Sequence, residues 1–199
     1  MSKEGKTGVT SKTPENILFG AGTIHKGLKY TPGADGATGS WNFEESIVGA
    51  TSGGSKLSIK PEITNIEADG ALVKVKELSP KTGETASMEI NFLELTKDLI
   101  KSSLVGIDGT SADAAYDLIE SKADIAEGDY WENIAFVGKT LKGKNIIAIL
   151  DNALCTSGLE LEGKHKEAGI GKYTFECYAD LESDLDKLPW HIYYPKASA

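Results

Sequence analysis

The chain contains no arginine. All 21 of its basic residues are lysine, and they stand against 30 aspartates and glutamates, leaving a net charge of -9. Sequence-specific nucleic-acid binders read phosphates and base edges with basic patches and guanidinium forks, so that function class is excluded, although passive contact with DNA is not. Long apolar runs are missing too. The longest, Ile146–Leu150, is strand-length, far short of the roughly 20 residues of a membrane helix. The amino-terminal stretch Met1–Asn16 has no apolar run and reads as neither signal peptide nor membrane anchor, which predicts a chain made in the cytoplasm. There are two cysteines, Cys155 and Cys177, in separate candidate strands; without a secretion signal they are expected to be free, buried thiols. The three histidines, His25, His165 and His191, lie far apart and lack Cys or Asp at ligand spacing, which argues against a metal site.

Recognisable catalytic motifs are also absent: no nucleophile elbow, Walker loop or dinucleotide fingerprint occurs. Gly49–Gly54 is glycine-rich, but no Lys-Thr and no helix start follow it, so it reads as a sheet corner and not as a phosphate cradle. The acidic groupings Glu44-Glu45, Glu160/Glu162 and Asp180/Glu182/Asp184/Asp186 imitate a glycosidase dyad or a calcium loop. Carboxylates this common are ordinarily solvated surface, and the last group lacks the Gly and terminal Glu of an EF-hand. The expectation is a protein that is not an enzyme and takes no cofactor.

What the chain does have is alternation. Its 199 residues, 40% hydrophobic and 26% charged, fit one globular domain with a sizeable core. Met1–Thr13 is polar with Val9 its only internal apolar residue, and reads as a flexible amino-terminal arm (1–13) ahead of a single β domain (14–199). Ile17–Tyr30 reads as strand with a break near Gly20–Gly22, and Thr31–Ser40 as a loop leading to the aromatic pair Trp41 and Phe43. Ser46–Asn91 is the best-patterned stretch. It predicts a strand, a Gly53-Gly54 corner, a long strand, a hairpin turn at Asp69-Gly70, a further strand, a turn bracketed by Pro80 and Gly83, and another strand. Leu57, Ile59 and Ile63 share one face against Lys56, Ser58, Lys60 and Glu62. Val73 and Val75 oppose Lys74 and Lys76, and Ala86, Met88, Ile90 and Phe92 oppose Ser87, Glu89 and Asn91. The three strands are expected as neighbours with a polar face of mixed charge, which in a lone domain is solvated outer surface.

At Leu95–Val105 the period changes to that of a short amphipathic helix, capped by Thr96 and ended by Gly106. Ser111–Ala126 favours helix by propensity, while Tyr116–Glu120 also reads as strand; the residues alone leave both open. From Tyr130 strands return: Ile134–Val137, a turn near Gly143, an apolar Asn145–Asn152 buried on both faces, short Gly158–Glu162, and Lys172–Ala179. An acidic loop Asp180–Lys187 precedes an aromatic closing strand Pro189–Pro195, whose prolines point to an edge or strand end.

Several pieces, spread over most of the chain, together resemble the major tail tube proteins of long-tailed bacteriophages. They are Thr13-Pro14-Glu15-Asn16 with Ala21-Gly22; Val48-Gly49-Ala50-Thr51 with Gly53-Gly54; Lys60-Pro61; and Ile66-Glu67 with Asp69-Gly70. Further along come Glu89-Ile90-Asn91 with Leu93-Glu94 and Thr96; Asp129-Tyr130 with Asn133-Ile134-Ala135 and Val137-Gly138; Asn152-Ala153-Leu154; and Pro189-Trp190 with Ile192-Tyr193-Tyr194-Pro195. No single piece is diagnostic; their order and coverage carry the likeness.

The resemblance implies a mainly β fold, a β-sandwich or barrel-like tail-tube domain with one flanking α-helix, a long loop and terminal arms, and it favours strand at Tyr116–Lys122. It implies a structural virion protein that self-assembles into rings, usually hexameric, stacked as a tail tube through which DNA is delivered to the host. Partners implied are further copies of the chain, tape-measure, initiator and terminator tail proteins, and transient non-specific double-stranded DNA. The localisation implied is the virion tail, assembled in the host cytoplasm. On that footing the polar face carrying Lys56, Ser58, Lys60, Lys74, Lys76, Glu89 and Asn91 becomes a channel lining. Val9, Pro32, Asp35, Trp41 and Phe43, on the arm and the loop, become contacts between subunits or rings. The alternative is a β-sandwich module that binds carbohydrate or another surface through Trp190, Tyr193 and Tyr194, and a carboxylate hydrolase is the weakest reading.

Overall fold

A computed structural model describes residues 8–34, 38–161, 163 and 165–196. The chain is mainly β. Six antiparallel strands form a nearly closed, barrel-like sheet. In chain order these are β1 (Leu18–Lys26), β4 (Thr51–Ile63), β5 (Lys81–Phe92), β8 (Trp131–Thr140), β9 (Asn145–Cys155) and β10 (Gly171–Cys177). Their spatial order is β1-β8-β9-β10-β5-β4. Strand β11 (Trp190–Tyr193) pairs with the first half of β9, and β10 takes the second half of the same edge. Two small ladders lie outside the barrel: β2 (Tyr30–Thr31) with β3 (Ser40–Trp41), and β6 (Ile107–Gly109) with β7 (Leu118–Glu120). Among the described residues there are three short α-helices, α1 (Thr13–Asn16), α2 (Phe43–Ser46) and α3 (Lys97–Ser103).

Alternation decides which side of each strand is buried. Ala86, Met88, Ile90 and Phe92 of β5 all point inward, as do Ile134, Leu150, Tyr173 and Phe175, and Leu99 of α3 joins them. Strands β8 and β9 lie mid-sheet and bury their other face as well, where Leu28, Ala135, Val137, Ile147 and Ile149 form a second cluster under Trp41 and Phe43. This is why Asn145–Asn152 is apolar on both sides: the β2–β3 ladder and α2 roof one face while the barrel interior fills the other. On β10–β5–β4 no comparable roof occurs among the described residues.

Glycines curve the two strands at the ends of the path. Between Phe19 and Thr23, β1 gains residues over β8, with Gly20 and Gly22 at positive φ; a Cβ on Gly22 would lie 2.4 Å from the Phe136 ring. Strand β4 does the same between Thr51 and Ser55, with Gly53 and Gly54 at positive φ. These are bulges that bend the sheet towards closure.

Helix α3 forms where its pattern predicts, with the Thr96 hydroxyl accepting from Leu99 N–H. Its end differs from the expected glycine stop. The Gly106 N–H bonds the Lys101 carbonyl and the Val105 N–H bonds that of Ser102, a Schellman arrangement whose left-handed position is Val105, φ 48. Gly106 serves packing instead, since a Cβ there would meet Ile119 at 2.8 Å.

Three expectations are overturned. Ser46–Ala50 is not a strand; it follows α2 and touches β1 through one bridge, His25 to Ile47. Residues 64–80 carry no strand at Val73–Lys76 but form the projecting end of the β4–β5 hairpin, which ends in a 3-10 turn at Lys76–Leu78. The third neighbour of the polar face is therefore β10. Gly158–Leu161 forms no strand, and Glu162 lies outside the described residues. Ser111–Ala126, where the residues alone leave helix and strand open, is not helical: Ser111 and Asp113 side chains bond the local backbone, a competitor to helix for such residues. Strand forms at Leu118–Glu120, inside the Tyr116–Lys122 stretch that the resemblance favours.

Candidate functional site

The bare outer face of β10–β5–β4 is built row by row from the strand register. Thr174, Glu89 and Lys56 lie abreast; so do Glu176, Ser87 and Ser58; Lys172 faces Asn91 and Thr85 faces Lys60. Lys56 Nζ reaches Glu89 Oε1 at 2.5 Å, and the Asn91 amide donates to the Gly54 carbonyl. Both members of the ion pair are more than half exposed, so water screens it and it contributes little to stability. Three lysines and two glutamates on these rows give the face mixed charge with no strong field of either sign. Lys56, Ser58, Lys60, Glu89 and Asn91 thus share one surface. Lys74 and Lys76 do not belong to it. They sit on the projecting hairpin, because the chain at 73–76 has no strand to pair with.

Beside this face runs an open edge. Among the described residues β4 pairs with β5 alone along its length. Pro61 lies within it and has no N–H to give. Thr64 N–H bonds the Pro80 carbonyl on the β5 side, so residues of the other parity, Leu57, Ile59 and Pro61, turn their backbone groups outward. At the far end of the path, residues 18–23 of β1 pair, among the described residues, only with β8. The two edges approach each other where Val48 N–H bonds the Ile24 carbonyl at 3.0 Å.

The hairpin 64–80 extends the β4–β5 ladder through Thr64–Pro80 and Ile66–Leu78 bonds and turns at Ala68–Ala71, with Gly70 at positive φ. Leu72 is 98% exposed and Val73 77%. Of the predicted contact residues, Val9 and Pro32 are exposed, while Asp35 lies outside the described residues, as does the arm before Gly8. Trp41 and Phe43 are half-buried and stack over the second cluster, their rings 6.2 Å apart. Of the aromatics of the carbohydrate alternative, Trp190 packs on the main core, while Tyr193, which meets Trp41 edge-on at 5.0 Å, and Tyr194, whose hydroxyl bonds Asn16, are each about half exposed.

A Ser–His pair that the sequence reading missed lies at the β1 edge. His25 Nδ1 is 2.9 Å from Ser46 Oγ and Nε2 is 2.8 Å from Thr23 Oγ1. Burial lowers the proton affinity of the imidazole, against a smaller opposing contribution from the Phe43 backbone. Both ring nitrogens are occupied and the pair is buried, so Ser46 is not placed to attack a substrate. The apolar neighbours of His25 along Ile24–Leu28 were the available signal. Burial raises both thiols, Cys177 to about 12; the two are free.

A cleft of about 550 Å³ is bordered by Tyr130, Tyr178, Asn152, Glu132 and Asp180, and Glu132 is paired with Lys29. Asp184 pairs with Lys187, and Glu44 and Glu45 are exposed on α2. His191 pairs with Asp151 and His165 is exposed elsewhere. Among the described residues no group of three or more His, Cys, Asp or Glu side chains is arranged to hold a metal, and no helix is long and apolar enough to cross a membrane. No family model matches the chain, and no curated protein matches it in sequence.

Proposed function

We propose that this chain is a structural subunit that closes into rings and stacks into a tube for DNA delivery, the role implied by its resemblance to major tail tube proteins. The observation that carries the reading is the strand path with an open edge at each end, β4 along its length and the first half of β1. A strand of 13 residues that, among the described residues, pairs along one side alone is a hazard that monomeric proteins usually blunt with a helix, a loop or charge. Pairing β4 of one copy with β1 of the next is a heterologous contact, and repetition around an axis closes it into a ring. Stacking of rings then uses the projecting hairpin, whose Ile66, Leu72 and Val73 are left in water by the lone chain.

In such a ring the face of Lys56, Lys60, Glu89, Lys172 and Glu176 lines the channel. Tight, salt-dependent grip on DNA comes from neutralising phosphates with many cations. A face of mixed sign lets DNA pass instead of holding it.

Electron microscopy of purified protein over a concentration series tests the reading. Rings or tubes that appear as concentration rises are expected. Monodisperse single chains at every concentration, with or without tail initiator proteins, would overturn it. A map in which Lys56–Lys60 faces outwards would remove the channel assignment.

A further inference from the structure

The edge of β1 is covered over only part of its length, and what covers it is a short piece of chain, residues 42–50. Its backbone contacts with β1 are the His25–Ile47 bridge and the bond from Val48 N–H to the Ile24 carbonyl. Polar side chains fasten it at three points. Asn42 bonds the Lys29 N–H at 2.7 Å and the Gly27 carbonyl at 3.2 Å. Glu94 accepts from Ala50 N–H at 3.0 Å. Between them Ser46, 5% exposed, meets His25, 1% exposed.

The hydrogen bonds fix the state of that imidazole. Ser46 Oγ donates to the Asn42 carbonyl at 2.8 Å, so it accepts from His25 Nδ1–H. Nε2 then offers its lone pair to the Thr23 hydroxyl. The set is complete for a neutral ring. A second proton would force Nε2–H to donate to Thr23 and turn the hydroxyl towards the Val137 carbonyl, 3.5 Å away, beyond a normal bond.

Among the described residues no carboxylate lines the hollow beside this imidazole, and the Phe43 backbone offsets only part of what burial costs a cation there. From β8, Lys139 lines the same hollow as His25, and from β9 the neutral Asn145 does. On β1 itself Lys26 lies over the Trp131 ring. Glu44 and Glu45 of α2 are exposed, and Phe43 presents its ring to the imidazole at 5.8 Å. Among the described residues the one charge lining the hollow, Lys139, is therefore of the same sign.

We propose that protonation of His25 releases residues 42–50 from β1 and opens the whole edge of that strand for pairing. The release is a property of the single chain; that a second copy then takes the edge rests on the tube reading. In the released state the imidazole is solvated and titrates normally, so acid favours release.

Amide hydrogen exchange followed by NMR tests this on the full chain, at concentrations below any assembly. The readout is the Val48 amide at pH 7.5 and 5.0, corrected for the intrinsic pH dependence of exchange, with the Leu150 amide in the middle of β9 as the global reference. The opening of Val48 is expected to rise by up to about 30-fold, the limit for a site that excludes the proton against a reference value near 6.5, and to stay above that of Leu150 at both pH values. In H25Q, which keeps polar atoms but does not titrate, the dependence is expected to vanish. Val48 opening unchanged in the wild type, an equal rise in H25Q, or Val48 and Leu150 opening together would overturn the proposal. Should H25Q fail to fold, direct NMR titration of the His25 ring decides. Loss of Val48 protection at the ring's own midpoint supports release, and a ring that titrates with Val48 still protected refutes it. Tube assembly by a chain with no such release would sink this inference alone, and release in a chain that never assembles would sink the tube reading alone.

Discussion

Replacing Ile59 by proline separates the edge from the fold. Ile59 has the parity of Pro61, so its N–H points away from β5 and a pyrrolidine ring there leaves the β4–β5 ladder intact. Its side chain packs partly buried on the main core, so Ile59→Ala, which loses the same packing, costs about 1–2 kcal/mol of fold stability and is the matched control. For a neighbour pairing along β4 the loss is different. One donor bond disappears, about 1 kcal/mol, and the neighbour's carbonyl is left unsatisfied, about 1–2 more. At 1.4 kcal/mol per factor of ten, the resulting 2–3 kcal/mol per contact raises the concentration needed for assembly roughly 30- to 150-fold. Denaturant melts give the stability of each variant, and sedimentation with negative-stain microscopy gives the assembly concentration. The expected pattern is I59A near wild type in assembly, I59P far above it, and both folded. Ser58→Pro, whose N–H faces β5, is expected to lose about 2–3 kcal/mol of fold stability. A folded I59P chain that assembles at the same concentration as I59A would refute the claim that β4 pairs between copies.

Other expectations concern the chain alone. Val105→Gly removes a β-branched residue from a left-handed position and is expected to stabilise by about 0.5–1 kcal/mol, strain relief of 1–2 kcal/mol less the entropy of an extra glycine; a lower denaturation midpoint would contradict this. Phe92→Ala empties a fully buried site against Tyr173 and should cost about 3–5 kcal/mol by the same melts. The buried thiols, with Cys177 at about 12, should not react with a thiol-specific disulfide reagent at pH 8 until denaturant is added, when both react; prompt labelling in the native state would contradict their burial.

Alternation made most of the barrel legible from the residues. Ala86, Met88, Ile90 and Phe92 all point into the core as their spacing predicts, and the apolar Ile147–Leu150 is buried on both faces. The Thr96 cap was legible because it depends on local chemistry alone. What was not legible depends on partners far away in sequence. Nothing in Val73–Lys76 says whether a strand lies beside it, and none does. Nothing in Lys172–Glu176 says that it, and not Val73–Lys76, will be the third strand of the polar face, since that follows from the β10–β5 register. His25 carries no motif, and its meeting with Ser46 across 21 positions exists only because α2 folds back over β1.

The hairpin also shows why a correct local pattern can give a wrong local structure. Leu57 and Val73 both sit in runs where apolar residues alternate with polar ones, lysines among them. Leu57 has β5 beside it and a core beneath, so its pattern becomes a strand. Val73 has neither, and the same pattern leaves it 77% exposed. Period two specifies that a segment is fit to lie on a sheet with one side covered; it does not supply the sheet. Within a single chain the segment 72–76 is therefore an unsatisfied pattern, and the exposure of Leu72 and Val73 is the cost. If a neighbouring copy covers it, the hydrophobic term that stabilises β4 within the chain acts between chains, and the projecting end and the open edge of one hairpin become two contacts of one assembly.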